Sequence, residues 1–273
     1  MLGAMAMNFL LTGIDVLMAH SQNNVFRWEV IPLVYVPFAV LAILAHIVVR
    51  PNVLERRTFQ SVMWLGVVVG AVGTLLHLTG NAISSPMSVH QLLVAGSPIA
   101  APVAFAGIAS FALASDRHRG SVRSSKLCVL VGLGFFGAVL AAFLDHARIG
   151  YVPGYTLIPI ASGTLGTIAC LYMARVRASR RETYIFLSVL GLNVLVGLLG
   201  FWFHLMGDLA GTQSVVWARI LYRAPLFGPL LFCNLAMLGA LSMLPEPDEA
   251  MEGRAGDVSS LGIPSGSSQL ARR

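Results

Sequence analysis

Apolar residues fall along this chain in eight long blocks, at roughly 3–20, 29–49, 58–79, 93–115, 127–147, 156–174, 183–206 and 217–243, separated by short polar gaps. About 20 apolar residues in helical conformation cross the hydrocarbon core of a bilayer. Backbone polar groups in lipid must be satisfied within the segment, as a helix does. The pattern therefore predicts an all-α integral membrane protein with eight transmembrane helices. The first block carries Asp15 and has no Lys or Arg before it, so it is expected to be a retained helix rather than a cleaved signal. From Pro245 the composition turns to Pro, Glu, Asp, Gly and Ser. Such a tail buries too little apolar surface to order itself, and 245–273 is expected to be disordered.

Sliding the chain against itself shows an internal duplication. At an offset of 127 residues, 55–80 aligns with 182–207 without a gap and twelve of 26 positions are identical, among them Glu55/Glu182, Gly70/Gly197, Gly73/Gly200, His77/His204 and Gly80/Gly207. The same offset carries Ile31-Pro32 onto Ile158-Pro159, Pro98 onto Pro225 and Pro102 onto Pro229. With one residue of slippage upstream, His20 matches His146. The expected organisation is a first four-helix repeat over 1–118, a second over 119–244, and the tail. Four helices is an even number, so both repeats cross the same way and are expected to be related by a pseudo-twofold axis along the membrane normal. Pro32, Pro98, Pro159 and Pro225 are expected in the first turns of the even helices. Pro37, Pro102 and Pro229 are expected about a turn inside, as kinks.

Composition agrees with the membrane assignment: 56% of residues are hydrophobic and 11% charged, where a soluble domain carries about a quarter charged residues. The 18 Lys and Arg against 12 Asp and Glu give +6. That excess sits in gaps between apolar blocks, which points to a lipid bilayer rather than nucleic acid as the partner. Eleven basic residues (Arg50, Arg56, Arg57, Arg117, Arg119, Arg123, Lys126, Arg175, Arg177, Arg180 and Arg181) share a side with both termini, and only Arg27, Arg148, Arg219 and Arg223 lie opposite. The positive-inside rule then places both termini in the cytoplasm, with the bacterial inner membrane as the expected location. Trp28, Tyr151, Tyr155 and Trp217 would form an aromatic belt on the outer side. Cys128, Cys170 and Cys233 lie within apolar blocks at no metal-binding spacing and read as core residues.

The candidate chemistry lies in histidines at matching depths. His20, His77, His146 and His204 are placed at the outer ends of the odd-numbered helices. Gly70, Gly73 and His77 stand at i, i+3 and i+7, as do Gly197, Gly200 and His204, so each imidazole shares a face with small residues. Small residues in membrane helices admit a neighbouring backbone, which turns that face inward. Asp15, Asn81, Asp145 and Asp208 fall at the same level as an outer shell or proton relay. Imidazole suits copper and iron, including haem iron. The four histidines are expected either to close around one ion or to pair on haem b. The absence of HExxH, Glu-x-x-His and Cys-x-x-Cys-His spacings argues against a zincin, a ferritin-type di-iron site and covalent haem. His46, near the inner face, and His118, in a basic loop, do not read as ligands. His90 is at most an optional addition.

The sequence thus favours a metal- or haem-bearing membrane protein at the outer face. Such a site is suited to electron transfer or quinol-linked redox, taking electrons from quinone-pool quinol and passing them to an outer redox partner. No motif fixes it as an enzyme. Two other classes remain open: a small-ion or proton-coupled transporter, and a non-catalytic membrane subunit or assembly factor.

Overall fold

The computed structural model describes residues 1–21, 28–49, 52–84, 88–117, 120–210 and 227–244. Among these the chain is helical and has no strand. Its helices are α1 (Leu2–Ser21), α2 (Val30–Val48), α3 (Val53–Ser84), α4 (Val103–Arg117), α5 (Gly120–Ala147), α6 (Ile158–Met173), α7 (Arg180–Leu209) and α8 (Leu230–Ser242), with a π-helical turn at Gln91–Ala95 and a 3₁₀ turn at Gly154–Leu157. The segments 22–27, 118–119, 211–226 and the tail lie outside the described residues, and with them His118, Arg27, Trp217, Arg219 and Arg223.

Among the described residues six helical segments are long and apolar enough to cross a membrane. The helices α4 and α8 are shorter, at 15 and 13 residues. Their prolines contribute to this. Pro102 and Pro229, expected inside these helices, stand immediately before them, and Pro229 is the N-cap of α8. A ring that removes the N–H and fixes φ is tolerated best at a helix start. Upstream of α4 the chain uses 91–102 in the π turn and further turns. Pro32 and Pro159 do sit in the first turns of α2 and α6, and Pro37 is inside α2.

The helices pack as two rings. α1 packs on α2, α2 on α3, α3 on α4, and α4 closes back on α1. The same cycle runs α5, α6, α7, α8 and back to α5, and α4 against α5 joins the rings. In the first ring Phe9 is fully buried, with Tyr35 at 5.7 Å and Phe105 at 6.3 Å between ring centroids. In the second, Phe135 meets Phe232, also at 6.3 Å. Large apolar side chains such as Phe38, Leu41, Leu195 and Trp202 point outward, where hydrocarbon rather than water is their fitting surroundings.

The glycine stripes bring helix backbones close together. A Cβ on Gly70 would lie 2.7 Å from the backbone N of Ala106 and 2.8 Å from the carbonyl O of Pro102, and one on Gly197 would lie 2.8 Å from the carbonyl O of Pro229. Gly73 and Gly200 press on the same two prolines, each at 2.8 Å. Both stripes therefore face α4 and α8, not lipid.

Near mid-helix the rings differ in sequence yet make similar bonds. In the first, the Tyr35 hydroxyl donates to the carbonyl of Val62 and occupies the space beside Gly66. In the second, Asn193 fills that place and donates from Nδ2 to the carbonyl of Val189 at 2.9 Å. Val62 and Val189 are 127 residues apart, as are Gly66 and Asn193, and Tyr35 and Ser162.

Candidate histidine site

His20 ends α1 and His77 lies two turns before the end of α3. Their rings approach to 6.2 Å between centroids at an angle of 71°. Nδ1 of His77 donates to the carbonyl of Pro98 at 2.9 Å. That carbonyl also accepts the backbone N–H of Ala101 at 3.3 Å, in the turns that precede α4. A neutral imidazole has one N–H, so the bond from Nδ1 leaves Nε2 of His77 with a lone pair, the state in which histidine ligates metals. His20 keeps Nδ1 buried with no hydrogen-bond partner among the described residues, while its ring reaches the backbone of Glu29.

The second ring holds His146 and His204. His146, in the last turn of α5, also keeps Nδ1 buried without a partner among the described residues. His204 on α7 stands within electrostatic range of both His146 and Asp145. The residue equivalent to Pro98 is Pro225, outside the described residues. One turn beyond each α3 and α7 histidine is a glycine, Gly80 or Gly207, with open space where a Cβ would be.

Four residues were expected around the histidines as an outer shell. Asp145 pairs at 4.0 Å with Nε of Arg148. The guanidinium of Arg148 in turn donates to the carbonyls of Val94 and Gly96 at 2.6 and 2.8 Å, tying the end of α5 to the π turn of the first ring. Asn81 is buried and clamps the same segment: Nδ2 donates to the carbonyls of Leu92 and Ser97, and Oδ1 accepts from the N–H of Ser97 at 2.7 Å. Asp208, its equivalent, is 3% exposed with Oδ2 lacking a partner among the described residues. Asp15 is half-buried on α1.

The structure brings His20 to His77 and His146 into range of His204. Among the described residues no group of three or more His, Cys, Asp or Glu side chains is placed to hold an ion. The histidines stand as two pairs in separate rings.

Sequence reading passed over one polar cluster at the other end, where the basic loops lie. His46 of α2 meets Glu55 of α3 at 2.7 Å and Asp116 of α4 at 3.3 Å. The residues are 9 and 61 apart from Glu55 outward, and only the closing of α4 onto α3 unites them. The available signal was that all three lie at helix ends on one side of the membrane. His90 is exposed.

Comparison with protein families, curated proteins and solved structures finds no match to this chain.

Proposed function

We propose that this is an integral membrane redox protein built from two copies of one four-helix unit, each copy holding a haem b between its two histidines, His20 with His77 and His146 with His204. The observation that carries the reading is the His20–His77 pair. Imidazoles hold haem iron, and in the first copy His20 and His77 would supply them. The rings of His20 and His77 are 6.2 Å apart. Haem iron takes four ligands from its own macrocycle, so two protein ligands complete it. Among the described residues no group of three or more His, Cys, Asp or Glu is placed to surround a bare ion.

Three features of the chain support this assignment. The Pro98 carbonyl holds His77 in the ligating tautomer. His20 and His146 each retain a buried ring nitrogen with no partner among the described residues, and such a nitrogen costs about 1–3 kcal/mol unless something fills its need. Gly80 and Gly207 leave room beside the imidazoles. When bound, haem supplies one-electron transfer. The chain orients the imidazoles, and Asp145 stands within electrostatic range of the second pair.

The duplication is supported by matching contacts: Gly70 and Gly197 on the carbonyls of Pro102 and Pro229, and Phe9–Phe105 and Phe135–Phe232 at the same separation. Under the positive-inside rule the basic end faces the cytoplasm of a bacterial inner membrane. The haems then lie on the outer side, in reach of membrane quinol and an outer electron acceptor.

The test is an absorption spectrum and haem count on detergent-purified protein expressed with ample haem, beside elemental analysis. A Soret band with near two haems per chain is expected. Copper or iron without a Soret band replaces haem by a bare ion. A sample with neither overturns the redox reading.

A further inference from the structure

At the end opposite the histidine pairs, α3 and α7 begin with the same capping arrangement but use it differently. Asn52 and Ser179 occupy equivalent positions, and each accepts the backbone N–H of the glutamate three residues on, Glu55 at 2.8 Å and Glu182 at 3.3 Å. In α7 the glutamate completes a reciprocal capping box: Oε2 of Glu182 accepts the backbone N–H of Ser179 at 2.7 Å. Such a box satisfies two otherwise orphaned helix N–H groups. In α3 the carboxylate of Glu55 turns instead to His46, with Oε1 2.7 Å from Nδ1. Its Oε2 is buried without a partner among the described residues.

His46 is enclosed on its other side too. Nε2 lies 3.3 Å from Oδ1 of Asp116, and the ring stacks on Phe59 with centroids 4.2 Å apart. The second oxygen of Asp116 accepts from Nε of Arg56 at 3.2 Å and from Nε2 of Gln60 at 3.0 Å. The three side chains His46, Glu55 and Asp116 are each about nine-tenths buried, whereas Arg56 is half exposed. Among the described side chains, the charged groups at this end of the first ring are Glu55 and Arg56, with exposed Arg57, on α3, Asp116 on α4, and the amino terminus before α1, where Met1 Sδ accepts from Ser115.

Proton accounting follows from the donor and acceptor inventory. A neutral imidazole has one N–H and one bare nitrogen, and an ionised carboxylate only accepts. With both ring nitrogens against carboxylate oxygens, a neutral His46 between two ionised carboxylates sets one lone pair against another. One further proton, on the ring or on a carboxyl group, removes the conflict and brings the cluster with Arg56 to zero net charge.

We propose that Glu55, His46 and Asp116 form a one-proton binding site at the basic end of the first ring, exchanging with the adjoining aqueous phase past the exposed Arg56. Folding of the unit does not require it. At the equivalent positions the second ring has Met173 for His46 and Met243 for Asp116, and its Glu182 serves the cap. The first ring gives up that reciprocal cap bond to build the cluster. The site is independent of haem, so its test and that of the redox reading succeed or fail separately.

The experiment is solid-state NMR of full-length, ¹⁵N-histidine-labelled protein in lipid bilayers at pH 7, with His46→Gln assigning the signal and infrared difference spectra reporting the carboxyl groups. The expected result is either His46 with two N–H groups, or a protonated carboxyl band that Glu55→Gln or Asp116→Asn removes. Each of these two substitutions is expected to return His46 to a single tautomer or abolish that band. Wild-type protein showing a neutral His46 and no protonated carboxyl, or signals that neither substitution changes, overturns the proposal. Because the deciding spectrum is that of the wild type, a variant that misfolds leaves it intact.

Discussion

At the scale of single residues, the proposed haem sites rest on whether each histidine belongs to one pair. His77→Ala is expected to lower the haem count from two per chain to one, His204→Ala to do the same, and the double variant to leave none, as read by pyridine haemochromogen assay. A count unchanged by either substitution would sink the pairing. Tyr35 and Gly66 offer a second test. The tyrosine hydroxyl occupies the space where a Cβ on Gly66 would stand, so Gly66→Ala overpacks the first ring. A loss of about 1–3 kcal/mol is expected, seen as a lower unfolding temperature in detergent. Adding Tyr35→Ser, which copies the smaller residue at Ser162, is expected to recover much of it. The sequence displayed both halves of this exchange, but their relation was hidden. Asn193 stands 127 residues from Gly66, which has no side chain, yet its bond to the Val189 carbonyl falls at the place where the Tyr35 hydroxyl bonds to Val62.

At the scale of elements, the glycines separate into those that admit a neighbour and those that do not. Gly70→Ala places a methyl against the backbone of α4, at 2.7 Å from the N of Ala106. Backbone does not yield as a side chain does, so this substitution is expected to destabilise the protein. Gly107→Ala, with nothing within 4 Å of its Cβ, is expected to be neutral or stabilising by about 0.5–1 kcal/mol through its helix propensity. Thermal unfolding of the two variants side by side reads the difference, and equal shifts would contradict the packing described. The inward aim of each glycine stripe was legible from its i, i+3, i+7 spacing. The lengths of α4 and α8 were not. Hydropathy sums over 93–102 as though they were helical, while Pro102 stands immediately before the start of α4.

For the whole molecule, orientation is the property on which the proposed redox direction depends. Single cysteines placed at exposed positions at the two ends, Arg177→Cys and Gly154→Cys, are expected to respond differently to a membrane-impermeant maleimide added to intact cells. Gly154→Cys is expected to label at once and Arg177→Cys only after permeabilisation. The reverse pattern would put the histidine pairs on the cytoplasmic side and exclude an outer acceptor. The two rings are also physically tied at the histidine end, where Arg148 of the second holds the carbonyls of Val94 and Gly96 of the first.

The sequence alone determined that the chain is a helical membrane protein, because lipid leaves a backbone few other options and long apolar blocks record that requirement directly. The identities at an offset of 127, on which the proposed duplication rests, are likewise a property of letters. Only the tertiary structure decided how these residues meet. Depth along a helix is linear in residue number, and so four histidines could be assigned to one level. Lateral distance depends on which helices pack, and the closing of each ring joined His20 to His77 while leaving the other pair in a separate bundle. The same closure assembled His46, Glu55 and Asp116, whose separation in the chain gave no period to read. A motif is visible in sequence when one element carries it, and these sites are each shared among several.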